Sequence, residues 1–157
     1  MIESSQKQIP PNYQLDGVLE NGKHDYCLRV QYEDTDAGGI VYHAQYLAFA
    51  ERARSAWLRC LNIDQPLLLS REKLAFVVRH IDIDFQQAAA LGDVLGVTSM
   101  VVKIGGARVR LRQTITKMQV CHIVARLVVD IGFVNLQRTG VARACRMPLD
   151  VRKKLAG

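Results

Sequence analysis

The residues best equipped for chemistry lie in one run, Glu33-Asp34-Thr35-Asp36-Ala37-Gly38-Gly39-Ile40-Val41-Tyr42-His43. Asp34 and Asp36 precede a Gly-Gly pair, and His43 follows Asp36 by seven residues. A carboxylate can attack a carbonyl carbon as a nucleophile, or take a proton from water as a general base. Gly38 and Gly39 permit positive φ and a close approach of backbone to a ligand. From about Val41 to Leu61 the pattern is helical: Tyr46, Ala50, Ala53, Trp57 and Leu61 recur every three or four residues, and Leu47 and Leu58 widen the stripe. A helix starting there offers unpaired N–H groups and partial positive charge to a developing anion. Acid, close-approach loop and helix start together point to chemistry on a carbonyl.

Each residue also has a plainer reading. Asp36 would serve as an N-cap or turn aspartate, and Asp34 as a source of loop hydrogen bonds or a salt bridge. His43 projects onto the N-terminal end of the apolar stripe, where a hydrogen-bonded structural histidine is the alternative. Tyr42 and Tyr46 read as packing residues. Arg54 interrupts the stripe and needs a buried partner, with Glu51 at i,i+3 or Asp82 and Asp84 as candidates.

The elements around this run are legible from periodicity. Tyr26 to Tyr32 alternates as a strand leading into the Asp/Gly loop. Asn62 to Pro66 ends the helix, and Leu67 to Lys73 reads as a short helical turn. Four strands follow, over Phe76–Gln86, Asp93–Ile104, Arg108–Lys117 and Val120–Asn135, with Gly105-Gly106 as a hairpin turn. Pro148 opens a short amphipathic C-terminal helix. One strand, one long striped helix and four strands on short connections predict an α+β fold, an antiparallel sheet packed against a single helix. Residues 1–24 carry Ser, Pro and Asn-Gly with little periodicity and are expected to form a flexible extension, leaving 25–157 as one domain.

Composition narrows the class. The chain has 157 residues, 49% apolar and 23% charged, as an ordinary globular protein does. Cys27, Cys60, Cys121 and Cys145 form no CxxC pair and no metal-ligand spacing, so reduced thiols in a cytoplasmic protein are expected, with no metal. No apolar signal region and no membrane-spanning stretch appears. The net charge of +6 favours anionic company. With 6% aromatics and none interleaved with basic residues, nucleic acid is not the expected partner.

The run Tyr32-Glu33-Asp34-Thr35-Asp36-Ala37-Gly38-Gly39-Ile40-Val41-Tyr42-His43-Ala44-x-Tyr46, followed by Glu51-Arg52-Ala53-Arg54, resembles the hot-dog-fold acyl-CoA thioesterases of the 4-hydroxybenzoyl-CoA thioesterase type, in particular the Tol-Pal-associated (YbgC-type) subfamily. Length and strand order fit from about Tyr26 to Pro148. The resemblance implies a curved antiparallel sheet wrapped round one long central helix, and hydrolysis of acyl-CoA without a cofactor. It maps the catalytic aspartate onto Asp36 and a catalytic position onto His43, with Gly39 and the helix start as an oxyanion hole. It places Tyr42 at the acyl pocket and Gly105, Gly106 and Arg108 near the pantetheine and nucleotide. Sites built at subunit interfaces imply a homo-oligomer, a dimer or tetramer. An acyl carrier protein is a further partner of matching charge. A non-catalytic acyl-CoA or carrier-protein binder of the same fold is the rival, and a hot-dog dehydratase is disfavoured because the acid precedes the Gly-Gly turn.

Overall fold

A computed structural model describes residues 15–136 and 141–157. The expected extension over residues 1–14 lies outside the described residues. The sheet nevertheless starts earlier than the boundary at residue 25. Asn21 and Gly22 both take positive φ (50° and 74°) and form a two-residue turn between β1 (Val18–Glu20) and β2 (Lys23–Arg29). That Asn-Gly pair is the commonest hairpin signal, and the sequence reading assigned it to the extension.

The remaining strands are β3 (Leu74–Phe85), β4 (Val94–Ile104), β5 (Arg108–Lys117), β6 (His122–Asn135) and β7 (Arg143–Ala144). All pairings are antiparallel, in the order β1-β2-β4-β5-β6-β3, with β7 on the end of β6. Helix α1 (Gln45–Cys60) lies against the inner face. Its buried Phe49, Ala50, Ala53, Trp57 and Leu58 share one core with Leu95, Val97, Leu111, Ile115, Leu127, Val129 and Phe133. Each large side chain buried there contributes about 1.5–3 kcal/mol. Beyond α1, Asp64 caps a helical turn, α2 (Gln65–Leu67), by accepting from the Leu67 amide, and a π-turn continues to Glu72. Helix α3 (Leu149–Ala156), preceded by Pro148, buries Val151 and Leu155.

Arg54 finds its partners inside this core. Its guanidinium donates to Glu51 and to the Oε1 of Gln113 (2.7 Å). The Gln113 amide in turn donates to the Ala50 carbonyl and the Ser99 hydroxyl. Gln113 and Ser99 occupy inward positions on β5 and β4. A buried charge needs such compensation; Glu51 supplies it as expected, and Asp82 and Asp84 do not.

A second polar knot ties the β1–β2 hairpin to the end of α1. The Asp16 carbonyl meets the His24 Nε2 at 2.7 Å and the Cys60 thiol at 3.5 Å, while the Asp16 carboxylate pairs with Arg59. His24 is fully buried and its Nδ1 meets no hydrogen-bond partner among the described residues. Burial holds its pKa below the ordinary imidazole value, against the opposing pull of the Asp16 carbonyl, Asp25 and Asp16. The unfolded chain therefore takes up a proton at a higher pH than the native one, and stability falls as pH drops below about 6.5. The urea midpoint is expected to decline between neutral and mildly acidic pH, and a His24→Gln variant to lose that part of the decline. An unchanged slope in the variant would discount His24.

Candidate active site

The Asp/Gly run folds into a tight hairpin-like loop ahead of α1. The turn Tyr32–Asp34 closes on the buried Asp34, whose Oδ2 accepts from the Gln31 amide at 2.7 Å. Thr35 then bridges antiparallel to Val41, the Asp36 amide donates to the Ile40 carbonyl, and the Tyr42 amide donates to the Asp34 carbonyl. The Val41 amide reaches the Ala89 carbonyl and Ile40 bridges Ala90, so the segment after β3 backs the loop. Asp93 secures that segment by accepting from the Ala90 amide and pairing with Lys117. Tyr46 is buried beneath, its hydroxyl accepting from the Ala89 amide; burial raises its pKa, so the phenol stays protonated.

These bonds move the helix start. Val41 and Tyr42 are held in extended pairing, so α1 begins at Gln45 rather than near Val41, with Ala44 as its N-cap residue. His43 consequently lies before the helix and not on its apolar stripe. It is exposed, its ring 4.4 Å from that of Tyr42. Gly39 takes the positive φ (78°) expected of it, but its amide donates to the Asp36 carbonyl. The Gln45 amide donates to the Tyr42 carbonyl. Among the described residues nothing accepts from the amides of Ala37, Ile40, His43 and Ala44; the last two directly precede the helix and are the donors nearest its start.

Asp36 sits at the base of the turn, exposed, with Oδ1 accepting from the Gly38 amide at 2.8 Å. The other oxygen has no hydrogen-bond partner among the described residues. A carboxylate held by one oxygen and open at the other suits it to attack a carbonyl or to activate water. Ile40, Tyr42, Leu47, Phe85 and Leu91 expose apolar surface on the loop, the first turn of α1 and the backing segment.

The second predicted group lies elsewhere. Gly105 and Arg108 turn β4 into β5 and, with Arg79, Lys103, Arg110 and Asp130, line a depression of about 250 Å³ whose walls do not include Asp36. The Gly106 carbonyl is taken by the Met147 amide. Arg110 grips Asp130 with two bonds (2.6 and 2.8 Å), which holds that carboxyl below its usual range, while Arg108 and Arg79 make no such pair among the described residues. The cationic pocket and the Asp36 loop thus have no lining residue in common. Sequence reasoning passed over Gln113 and Ser99, although a glutamine between Leu111 and Ile115 on the inward face of β5 was a readable signal. Among the described residues no three His, Cys, Asp or Glu side chains converge as metal ligands.

A long helix on the inner face of an antiparallel sheet, with an acid-bearing loop at the helix start, defines a hot-dog protein. Residues 30–155 match the family model described as the thioesterase-like superfamily, and the chain belongs to that family. An acyl-CoA thioesterase YbgC from Haemophilus influenzae is 41% identical over 135 residues, covering 86% of this chain and 95% of that one. The crystal structure of a probable thioesterase from Bartonella henselae is 37% identical, with a TM-score of 0.72 over 80% of this chain and 99% of that one. A 1,4-dihydroxy-2-naphthoyl-CoA thioesterase from Synechocystis shares the fold, with a TM-score of 0.79 at 23% identity over 86% of this chain and 96% of that one.

Proposed function

We propose that the chain hydrolyses acyl-CoA thioesters to a carboxylic acid and free coenzyme A, with Asp36 as the reacting acid. The observation that carries this reading is the Asp36 carboxylate, fixed through one oxygen by the Gly38 amide, in the same loop that leaves the His43 and Ala44 amides without a described acceptor. Asp36 adds to the thioester carbonyl or deprotonates the water that does. The carbonyl oxygen gains negative charge against the two amides, where one such donor is typically worth about 3–4 kcal/mol in the transition state. The thiolate departs as a good leaving group; where Asp36 has added, water then hydrolyses the acyl–Asp36 anhydride to release the acid and restore the carboxylate. The His43 imidazole, tilted against the Tyr42 ring, stands beside this path to orient water or protonate the thiolate. Tyr42 and Gly39 face the acyl portion, and the Arg79, Lys103 and Arg108 pocket with Gly105 and Gly106 takes the coenzyme A phosphates.

The active form is a homo-oligomer, at least a dimer. β3 is an edge strand of 12 residues with no described strand on its outer side, and Val78 (44% exposed) and Phe85 (48%) leave inward-facing apolar surface uncovered. Such an edge calls for pairing or cover. A second copy also supplies the wall that Asp36 lacks. The +6 charge suits an acyl carrier protein as an alternative thioester donor. The work is cytoplasmic, in keeping with cysteines scattered without a CxxC pair; among the described residues no helix is long and apolar enough to cross a membrane.

Incubation with short aliphatic, long aliphatic and aromatic acyl-CoA thioesters should release free thiol from at least one class with saturation kinetics. Stoichiometric binding of every class without thiol release would replace the enzyme with a carrier.

A further inference from the structure

Asp34 is the most thoroughly enclosed acid in the described chain, 1% exposed, and only one of its oxygens is bonded. Oδ2 accepts from the Gln31 amide at 2.7 Å; Oδ1, equally enclosed, accepts from no described residue. Its main chain also joins both ends of the reactive loop, the amide donating to the Gln31 carbonyl and the carbonyl accepting from the Tyr42 amide at 2.9 Å. Asp36, by contrast, has its carboxylate bonded among the described residues only to Gly38, within its own turn. The direction of the Asp36 carboxylate and of the His43 amide is therefore set by the loop backbone, and the loop backbone closes at Asp34. Leaving a carboxylate oxygen unpaired in the interior opposes folding, so capping the turn does not by itself account for an acid here.

We propose that Asp34 is a positioning residue for the reaction: through Gln31 and Tyr42 it holds the Asp36 carboxylate and the His43 amide at the spacing that thioester hydrolysis requires. The inference rests on Asp36 being the reacting acid. Misplacing a reacting group by about 1 Å lowers turnover about 100-fold.

The test compares Asp34→Asn, Asp34→Ala and Asp36→Ala in the full chain, with kcat and KM on the best acyl-CoA of the panel and folded protein quantified by circular dichroism. Asn retains a carbonyl oxygen for the Gln31 amide and is the conservative rescue, while Asp34→Leu, which fills the space without an acceptor, carries the test if Asp34→Ala does not fold. The expected result is kcat per folded molecule reduced about 10- to 100-fold, with KM within about threefold and Asn less impaired than Ala. Hydrogen exchange at the Tyr42 and Gly38 amides should quicken in the same order. Wild-type kcat per folded molecule in Asp34→Ala or Asp34→Leu, with Asp36→Ala inactive, would overturn this inference alone. An active Asp36→Ala would overturn the assignment beneath it as well.

Discussion

Replacing Asp36 by asparagine is expected to lower kcat by about 10²–10⁴-fold, the range of a lost general base, while KM changes little. Asparagine keeps the shape of the side chain and an oxygen for the Gly38 amide, so the turn survives. It removes the negative charge on the open oxygen, and with it both nucleophilicity and basicity. Asp36 is exposed and bonded only within its turn, so melting temperature should stay near wild type. Steady-state kinetics on the preferred thioester checks the first part and thermal denaturation the second. A single turnover of wild type in heavy-oxygen water then tests for acylation. Label in the Asp36 carboxylate can enter only by hydrolysis of an acyl–Asp36 anhydride at its Asp36 carbonyl. Attack at the acyl carbon and general-base catalysis both label the product acid alone, and trapping of acylated Asp36 tells those two apart. Wild-type turnover by Asp36→Asn would remove Asp36 from the mechanism.

Placing a charge on the uncovered inner edge should have an effect of similar size by another route. Val78 faces the same side of β3 as Phe76, whose ring packs edge-on against Phe133, yet Val78 remains substantially exposed. In Val78→Lys the aliphatic stem can lie where the valine lay and the ammonium can reach water in an isolated chain. Against a second copy it would meet apolar surface. The expected outcome is a shift of sedimenting mass to that of one chain, native circular dichroism, and a fall in kcat/KM of about 100-fold as the opposing wall departs from Asp36. An unchanged oligomer with wild-type kinetics would place the contact elsewhere; a fully active wild-type monomer would end the case for a shared site.

Periodicity alone located α1 and the strands from β3 to β6, because the alternation of Leu111 and Ile115 with Arg108, Arg110 and Arg112 and the spacing of Ala50, Ala53 and Trp57 each serve one buried face. It misplaced the start of α1. Val41 and Tyr42 are as compatible with a helix as with a bridge, and only their partners, Ala89 and Asp34, decide between them. The β1–β2 hairpin was passed over because three residues of β1 are too few to show a period. Arg54 announced itself by interrupting the stripe, but its acceptor Gln113 lies 59 residues away and is joined to it only by the fold. The loop bearing Asp36 was legible from residue types, whereas its closing through Asp34 was not, since main-chain bonds leave no mark on side-chain pattern.

The turn Asp36–Gly39 draws its shape from its own amides and carbonyls, without a side chain from any distant element. Variation in the surrounding Ile40, Tyr42, Leu47, Phe85 and Leu91 can therefore accumulate without disturbing the acid. Recognition of new carboxylic acids and preservation of the reaction are separable tasks on such a scaffold, and selection can reshape one while the other stands still.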